Sequence, residues 1–258
     1  MERVFLILID GMRPDGLLSC GNDYVDCLKK ESSYIFDAKS VIPPVTLPCH
    51  VSLFHSVPPE CHGTLTNTYV SPVYPVDGLF EQINKADKKA AIFYSWEKLR
   101  DICNPGSLMA SELLRIKTVD RVDCLLTKNA LKFAEEYNPD FVFLYLGETD
   151  DIGGHGYGWM SDEYLQYINV AMDCVKKVVQ AVGEEYTVIV TADHGGHERT
   201  HGTNMPEDMN IPMFFRGKKF EANKVLCNVS LLDIAPTIAE IMGLTIPDEW
   251  EGKSVCNH

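Results

Sequence analysis

The sequence predicts an α/β fold with a mostly parallel central sheet, helices on both of its faces and small lid insertions. Three apolar runs, at 4–9, 141–146 and 187–191, have the length and β-branched or aromatic content of strands buried on both faces. Helix-length amphipathic segments lie between the predicted strands, and this alternation is typical of a parallel sheet. We therefore expect one catalytic domain over residues 1–258.

The first half of the chain begins with the strand at 4–9 and a turn at 11–16. A short helix near 24–30 and an extended segment at 34–42 follow. A helix is predicted from Thr46 to about residue 56, because Pro48 falls in its first turn, where a missing amide needs no partner. The next elements are a helix at 79–86 and a strand at 90–94. Two irregular segments, 65–75 and 96–117, are predicted to form small lids beside the site.

The second half alternates helices and strands. Apolar side chains recur at the spacing of a covering helix within 119–137, namely Val122, Leu125, Leu126, Ala130, Phe133 and Ala134. After it we expect strands at 141–146, 187–191 and 211–215, and helices at 162–182 and 231–242. No repeat or linker divides the chain.

Composition limits the class of protein. The formal net charge of −14 argues against a nucleic-acid scaffold, which needs a basic face. The apolar runs are too short to span a membrane, and the first lacks the length and cleavage site of a signal peptide. We therefore expect a cytoplasmic protein without a membrane partner. The nine cysteines are odd in number and form no CxxC pair, which predicts reduced, mostly buried thiols.

Each of the three buried strands leads to aspartate, and two of them also lead to histidine. The side chains delivered in this way are Asp10, Asp150, Asp151, His155, Asp193 and His194. In open α/β sheets the ligand crevice lies beyond the carboxyl ends of the strands. Carboxylates and imidazoles at one edge are suitable ligands for a divalent metal. The sequence therefore predicts a metal site at this edge.

Thr46 stands at a predicted helix N-terminus, where free amides and the helix dipole favour an anionic group. A nearby metal would make its hydroxyl nucleophilic, whereas the alternative is a simple helix cap. Between the two adjacent aspartates we prefer Asp151 to Asp150, because only Asp151 lies four residues before His155. Three other histidines lack an acidic partner at ligand spacing and are expected to pack or cap: His50, His55 and His62.

Five short motifs occur in a fixed order: Ile9-Asp10-Gly11, Thr46-Leu47-Pro48-Cys49-His50, Pro59-Glu60-Cys61-His62-Gly63, Asp151-Ile152-Gly153-Gly154-His155 and Ala192-Asp193-His194-Gly195. Together with the segment 231–239 they resemble the alkaline phosphatase superfamily, and within it the nucleotide pyrophosphatase/phosphodiesterase branch. The resemblance covers nearly the whole chain. It departs from the usual pattern at Cys49, where asparagine is usual.

The resemblance implies two divalent metal ions, zinc by preference, with Mn²⁺ and Mg²⁺ as alternatives. One ion would be held by Asp10, Thr46, Asp193 and His194, and the other by Asp151, His155 and a later histidine, for which we prefer His201 to His197. It also implies in-line attack by Thr46 on phosphorus, a phosphothreonine intermediate, and a contact from Asn67 to a phosphoryl oxygen.

We therefore predict a metal-dependent phosphoesterase, a hydrolase of phosphoric ester or phosphoanhydride bonds. A phosphodiesterase or nucleotide pyrophosphatase with a small phosphate-ester or nucleotide substrate is preferred. The alternatives are a phosphomonoesterase or phosphonate hydrolase, a mutase-type phosphotransferase, which Thr46 and the short chain disfavour, and a non-catalytic phosphate binder. A sulfatase is disfavoured by the residues that follow Cys49. Tyr94 and Trp96 are expected either to stack on a leaving group or to pack in a lid.

Overall fold

A single sheet forms the centre of the protein, in a computed structural model that describes residues 2–71 and 76–256. Its strands are β1 (Arg3–Ile9), β2 (Ser33–Lys39), β3 (Ala90–Tyr94), β4 (Ala110–Leu113), β5 (Phe141–Leu146), β6 (Tyr186–Thr191), β7 (Asn210–Arg216) and β8 (Lys224–Val225). The spatial order is β4-β3-β5-β1-β6-β7-β2-β8. Neighbouring strands are parallel except at β7, which is antiparallel to β6 and β2. The predicted α/β fold with a mostly parallel sheet is therefore confirmed.

Helices of very different lengths connect the strands. The α-helices are α1 (Pro14–Ser19), α2 (Tyr24–Glu31), α3 (Thr46–His55), α4 (Pro59–His62), α5 (Leu79–Lys85), α6 (Val122–Tyr137), α7 (Asp162–Val182), α8 (Pro206–Met209) and α9 (Ile234–Met242). Short 3₁₀ turns lie at Glu97–Ile102, Pro105–Ser107 and Leu231–Asp233, and a π-helical turn spans Thr149–Tyr157. Across residues 2–71 and 76–256, none of the helices has both the length and the apolar character that crossing a bilayer requires.

The central strands position the site. All residues of β5 and β6 are buried, because helices cover both faces of the sheet. One group of helices, α1, α2, α6 and α7, packs together, and a second group, α3, α5 and α9, does so as well. In the parallel register Ile9 pairs with Leu146 and Leu8 pairs with Thr191. The three strands therefore end at the same edge, and the residues that follow them are brought together.

Several sequence expectations differ in detail from the structure. The strand predicted at 34–42 ends at Lys39, and a helix begins at Pro14 within the predicted turn. The segment 96–117 contains β4, a strand that pairs with β3 at the edge of the sheet. Its sequence, Ala-Ser-Glu-Leu, is short and partly polar, as edge strands are, so it carries no strand signal. Residues 72–75 of the predicted lid 65–75 lie outside the described residues.

Candidate metal centre and active site

The first group of candidate ligands lies just beyond β1 and β6. Asp10 and Asp193 are 2% and 0% exposed, and His194 is also buried. The backbone amides of Gly11 and His194 donate to Asp193 Oδ1 at 3.2 and 3.0 Å. Asp193 Oδ2 and Asp10 Oδ1 then each lie 3.4 Å from His194 Nε2. Two carboxylates from different strands therefore face one imidazole nitrogen.

The second group lies beyond β5 and contains Asp150. Asp150 Oδ2 is 3.5 Å from His155 Nε2, and Asp150 Oδ1 is 3.9 Å from His201 Nε2. The His201 ring stacks on that of His194, with centroids 3.9 Å apart. Asp150 also packs against Gly11, where an added Cβ would lie 2.8 Å from Asp150 Oδ1. The two groups therefore adjoin, with His194 between them.

The structure does not bring Asp151 into this cluster. Asp151 Oδ2 pairs with Lys117 Nζ at 2.8 Å, and its side chain is 42% exposed. The reason is the π-helical turn Thr149–Tyr157, at whose end the Gly158 amide is shared between the carbonyls of Gly153 and Gly154, at 3.1 and 2.8 Å. A π turn aligns residues five apart, whereas an α turn aligns those four apart. The spacing that favoured Asp151 assumed an α turn, and the observed turn places Asp150 beside His155.

Thr46 is the first residue of α3, but its side chain does not cap that helix. Its Oγ1 lies 3.2 Å from His194 Nε2, and the residue is 4% exposed. The amide of the following residue, Leu47, instead donates to Asn67 Oδ1 at 3.0 Å. This bond makes Oδ1 the acceptor, so Nδ2 is the donor that Asn67 can offer to a bound anion. Both residues line the same cleft.

The structure separates the two candidates for the last histidine. His197 Nδ1 is 2.8 Å from Asp208 Oδ1, in a contact that supports the loop after β6. His201 faces the cluster, while its Nδ1 donates to the carbonyl of Pro44 at 2.9 Å. The geometry therefore favours His201, as the sequence preference did, and gives His197 a structural contact.

Two further residues contact the candidate ligands: Tyr145, which the sequence did not identify, and His50, which was expected to pack or cap. The Tyr145 hydroxyl on β5 donates to Asp10 Oδ2. His50 on α3 is fully buried, and its Nδ1 lies 2.7 Å from the Thr46 carbonyl and 3.7 Å from Asp193 Oδ2. Tyr145 gave no signal because it stands in a strand buried on both faces. The helical spacing of four between Thr46 and His50 was the available cue for His50.

The electrostatics of the cluster favour a bound cation. Burial and the carboxylates of Asp193 and Asp150 raise the pKa of Asp10 well above its usual range. Burial raises the pKa of Asp150 to about 6, although His194 and His155 oppose the shift. Burial and the neighbouring His194 lower the pKa of His201 to about 3, which leaves its imidazole neutral at pH 7. Three carboxyl groups therefore crowd together beside the neutral imidazole of His201.

The hydrogen bonds of the histidines match those of metal ligands. In His155, His194 and His201 the Nδ1 atom faces a backbone carbonyl, at 2.9, 2.8 and 2.9 Å. A carbonyl accepts only from N–H, so a neutral ring presents the Nε2 lone pair to the cluster. Asp10 Oδ1, Asp150 Oδ1 and Asp193 Oδ2 are buried and have no hydrogen-bond partner in the described residues.

Two sets of potential ligand atoms result, each lying within 4.8 Å: Asp10, Asp193 and His194, and Asp150, His194 and His201. The residues present therefore fit divalent ions bound through oxygen and nitrogen.

The rim of the cleft combines aromatic and cationic groups. The cleft has a volume of about 380 Å³, and Trp96, Arg115 and Lys117 line it together with the candidate ligands. Lys98 donates to the Asn67 carbonyl at 2.6 Å and lies over the Trp96 ring, 5.6 Å from its centroid. Tyr94 is buried within β3 and is not among the lining residues. Of the two predicted aromatic residues, Trp96 therefore lines the cleft.

A sheet edge that gathers carboxylates and imidazoles around a buried hydroxyl is typical of metal-dependent α/β enzymes. Residues 116–246, half of the chain, match the Metalloenzyme superfamily, and residues 4–101 match the Type I phosphodiesterase / nucleotide pyrophosphatase family. The chain therefore belongs to the metalloenzyme superfamily, which is alkaline phosphatase-like, with a first part similar to the nucleotide pyrophosphatase branch. The predicted superfamily is confirmed, and with it the expectation of divalent metal ions.

Curated relatives include mutases. The 2,3-bisphosphoglycerate-independent phosphoglycerate mutase of Clostridioides difficile (strain 630) is 31% identical over 137 residues, which cover 50% of this chain and 26% of that protein. The phosphopentomutase of Alkaliphilus oremlandii (strain OhILAs) is 27% identical over 161 residues, covering 62% and 38%. The chain therefore spans between a quarter and two fifths of the length of these relatives.

Solved structures share the fold at low sequence identity. Murine ectonucleotide pyrophosphatase/phosphodiesterase 5, as an inactive threonine-to-alanine variant in complex with AMP, has a TM-score of 0.80 at 14% identity over 96% of each chain. A putative sulfatase from Bacteroides thetaiotaomicron has a TM-score of 0.81 at 15% identity, covering 99% of this chain and 74% of that one. The phosphonate monoester hydrolase from Silicibacter pomeroyi has a TM-score of 0.77 at 15% identity, covering 99% and 76%.

Proposed function

We propose that this protein is a metal-dependent phosphoesterase, and by preference a phosphodiesterase or nucleotide pyrophosphatase. The observation that carries the proposal is the position of Thr46 Oγ1, 3.2 Å from His194 Nε2 at the junction of the two ligand sets. A hydroxyl buried among carboxylates and imidazoles has the surroundings of an activated nucleophile.

The proposed ligands revise the sequence assignment at one position. Asp10, Thr46, Asp193 and His194 would hold one ion, and Asp150, His155 and His201 the other, with Asp150 in place of Asp151. When bound, the ions would lower the pKa of the Thr46 hydroxyl and neutralise charge on the phosphoryl oxygens. Zinc suits this mixture of oxygen and nitrogen donors, and manganese and magnesium are the alternatives to compare.

The residues of the chain divide the reaction between them. Thr46 Oγ1 attacks phosphorus, the bond to the leaving oxygen breaks, and a phosphothreonine forms. Water then attacks this phosphorus from the vacated side, and the bond to Thr46 breaks, which restores the hydroxyl. Asn67 donates from Nδ2 to a phosphoryl oxygen, because its Oδ1 is held by the Leu47 amide. His50 holds the Thr46 carbonyl and so orients the first turn of α3.

The rim supports a substrate with a substituent beyond the scissile phosphoryl group. Trp96 lines the cleft with an aromatic ring, and Arg115 and Lys117 line it with cationic groups that pair with Glu97 and Asp151. A small phosphodiester or pyrophosphate carries a second group on the phosphorus that can contact these residues, whereas a simple phosphate monoester has no such group. The proposed substrates are therefore small phosphodiesters or nucleotides.

Phosphoryl transfer is the second candidate, because curated relatives of about half of the chain are mutases. Transfer and hydrolysis share attack by Thr46 and differ only in the acceptor of the second step. Product analysis separates them, since a mutase returns the phosphoryl group to a sugar or glycerate and releases little inorganic phosphate.

The test is a parallel assay of the metal-reconstituted protein on bis(p-nitrophenyl) phosphate, p-nitrophenyl phosphate and a nucleoside-monophosphate p-nitrophenyl ester. We expect the diesters to be cleaved faster than the monoester. Thr46→Ala should lose activity by at least about 10³-fold, and Thr46→Ser should retain part of it, because serine keeps the hydroxyl. Thr68→Ala, an exposed threonine of the nearby loop, is the matched control.

Unchanged turnover in Thr46→Ala would overturn the nucleophile. A monoester rate far above the diester rates would overturn the diester preference and leave the phosphoesterase assignment in place. Quantitative transfer of phosphate to a sugar acceptor would replace hydrolysis by the second candidate.

A further inference from the structure

Two free cysteines face each other between the two longest helices, α6 and α7, away from the cleft. Cys124 lies in the first turn of α6 and Cys174 lies within α7, and their Sγ atoms are 3.7 Å apart, with Cys174 as the hydrogen-bond donor. We propose that this pair is a thiol–disulfide exchange site, at which Cys124 reacts with small anionic disulfides and Cys174 resolves the product into a disulfide between the helices.

The two thiols differ in access. Cys174 is fully buried, whereas Cys124 is partly exposed and lines a surface groove of about 850 Å³. A disulfide in solution therefore reaches Cys124 first. Cys174 lies behind it, in position to attack the mixed disulfide from the protein side.

The groove has a local charge that opposes that of the protein. Its charged lining groups are Lys128, Lys132, Lys177, Glu135 and Glu185. Three lysines against two carboxylates give the groove a formal charge of +1, on a chain of net charge −14. A small disulfide that carries carboxylates, such as glutathione disulfide, therefore finds favourable charge beside Cys124.

The geometry also activates Cys124. The hydrogen bond from Cys174 lowers the pKa of Cys124 to about 6; Lys177 and Arg121 contribute, while burial and Glu148 oppose the shift. The same hydrogen bond raises the pKa of Cys174, so the second thiol keeps its proton. A partly exposed thiolate next to cationic groups is the usual environment of a reactive cysteine.

The exchange balances in two steps. The Cys124 thiolate attacks one sulfur of glutathione disulfide, which forms a mixed disulfide and releases one glutathione thiolate. Cys174 then attacks Cys124 Sγ, which forms the protein disulfide and breaks the mixed disulfide; the second glutathione leaves and takes up the Cys174 proton as its thiol. Two protein thiols are oxidised and one glutathione disulfide is reduced.

The expected selectivity follows from the thiolate fractions. At about pH 6 roughly half of Cys124 is thiolate, against roughly 0.3% of an ordinary thiol with a pKa near 8.5. The weaker nucleophilicity of a low-pKa thiolate removes roughly tenfold of this advantage. Cys124 should therefore react about tenfold faster than an exposed ordinary cysteine at this pH.

The experiment treats the reduced full chain with glutathione disulfide at about pH 6 and stops the exchange with acid. Free thiols are then alkylated with N-ethylmaleimide, and tryptic peptides are mapped by mass spectrometry. Exposed Cys227 is the internal reference. We expect a peptide pair linked through Cys124 and Cys174 to form about tenfold faster than the mixed disulfide at Cys227. In Cys174→Ser the mixed disulfide at Cys124 should accumulate, because the resolving thiol is gone, whereas the buried control Cys103→Ser should behave as the wild type.

Neutral hydroxyethyl disulfide and cationic cystamine test the charge class. We expect glutathione disulfide to react fastest with Cys124 and cystamine slowest at low salt. Reaction of Cys124 no faster than Cys227, or persistence of the mixed disulfide in the wild type, would overturn the exchange site. If cystamine reacted fastest with Cys124, the proposed preference of the site for an anionic disulfide would be overturned.

Discussion

Replacement of Tyr145 by phenylalanine tests how far the hydrogen bond from Tyr145 to Asp10 contributes to metal binding. Tyr145 is 2% exposed, and its ring packs edge-on against His50 at 5.4 Å between centroids. Its hydroxyl donates to Asp10 Oδ2, while Asp10 Oδ1 faces His194. Tyr145→Phe keeps the ring and removes only the donor, so Asp10 becomes free to turn and loses stabilisation of its charge.

The magnitude follows from two independent considerations. A hydrogen bond to a charged group contributes about 1.5–3 kcal/mol, which corresponds to a factor of about 10–150 in affinity at about 1.4 kcal/mol per tenfold. Loss of an outer partner of a metal ligand costs about 10–100-fold in metal affinity. In addition, burial and the carboxylates of Asp193 and Asp150 already raise the pKa of Asp10, and the Tyr145 hydroxyl opposes them. Its removal therefore increases competition by protons as well.

We expect Tyr145→Phe to weaken zinc binding by about 10–100-fold at about pH 7 and by more at about pH 6. Isothermal titration against a competing chelator measures both values. The matched control is Tyr186→Phe, whose hydroxyl donates to the Pro139 carbonyl at 2.7 Å at the opposite end of the sheet. It should lose about 1 kcal/mol of stability and no metal affinity. Metal affinity of Tyr145→Phe within about threefold of the wild type would refute the proposed role of the Tyr145–Asp10 bond.

Three further predictions concern the turn beyond β5. Asp150→Asn should abolish stoichiometric metal binding, whereas Asp151→Asn should retain it. Asp151→Asn should lose less than about 1 kcal/mol of stability, because it removes only an exposed ion pair with Lys117. Elemental analysis of the two proteins measures the bound metal, and the reverse pattern would restore Asp151 as the ligand. Burial raises the pKa of Asp150 to about 6. The folded, metal-free protein therefore holds this proton more tightly than the unfolded chain, and its free energy of unfolding should fall by about 3 kcal/mol as the pH rises from about 4 through about 6. Bound metal reverses this loss, and the Tm difference between metal-loaded and chelated protein should be larger at about pH 7 than at about pH 5; an equal difference would contradict the assignment. Asp123→Ala should cost about 2–5 kcal/mol in urea unfolding, because the Asp123 carboxylate accepts from the amides of Gly147 and Glu148 at 3.0 Å each and both would be left unpaired; an unchanged midpoint would show that these amides find other partners.

Much of the fold could be predicted because its strongest signals are local. The strand Phe141–Leu146 and the helix Asp162–Val182 begin and end where the sequence placed them. The strand is a continuous apolar run between Asp140 and Gly147, and the helix is capped by Ser161, whose side chain accepts from the Tyr164 amide. By contrast, α6 begins three residues later than expected, because Arg121 adopts a left-handed conformation with φ of 51°. An arginine in the sequence does not predict a left-handed conformation.

The site was predictable where function follows from strand ends and was not where it depends on packing. Asp10 and Asp193 were singled out because parallel strands present their carboxyl ends at one edge, and the structure places both there. Tyr145 could not be found in this way, because a tyrosine in a fully buried strand has the same pattern as a phenylalanine. Its hydroxyl becomes informative only when the register sets β5 beside β1 and brings it to Asp10.

The choice between the two adjacent aspartates shows why ligand spacing cannot be separated from helix type. A separation of four to His155 favours Asp151 in an α turn, and a separation of five favours Asp150 in a π turn. The turn Thr149–Tyr157 contains three glycines, and at Gly154 an added Cβ would lie 2.5 Å from the Trp159 ring. The indole of Trp159 in turn donates to the Gly11 carbonyl at 2.9 Å, next to Asp10. The wider turn is therefore held by contacts with the residues that follow the first strand, and tertiary packing rather than local spacing selects Asp150 to face the histidines.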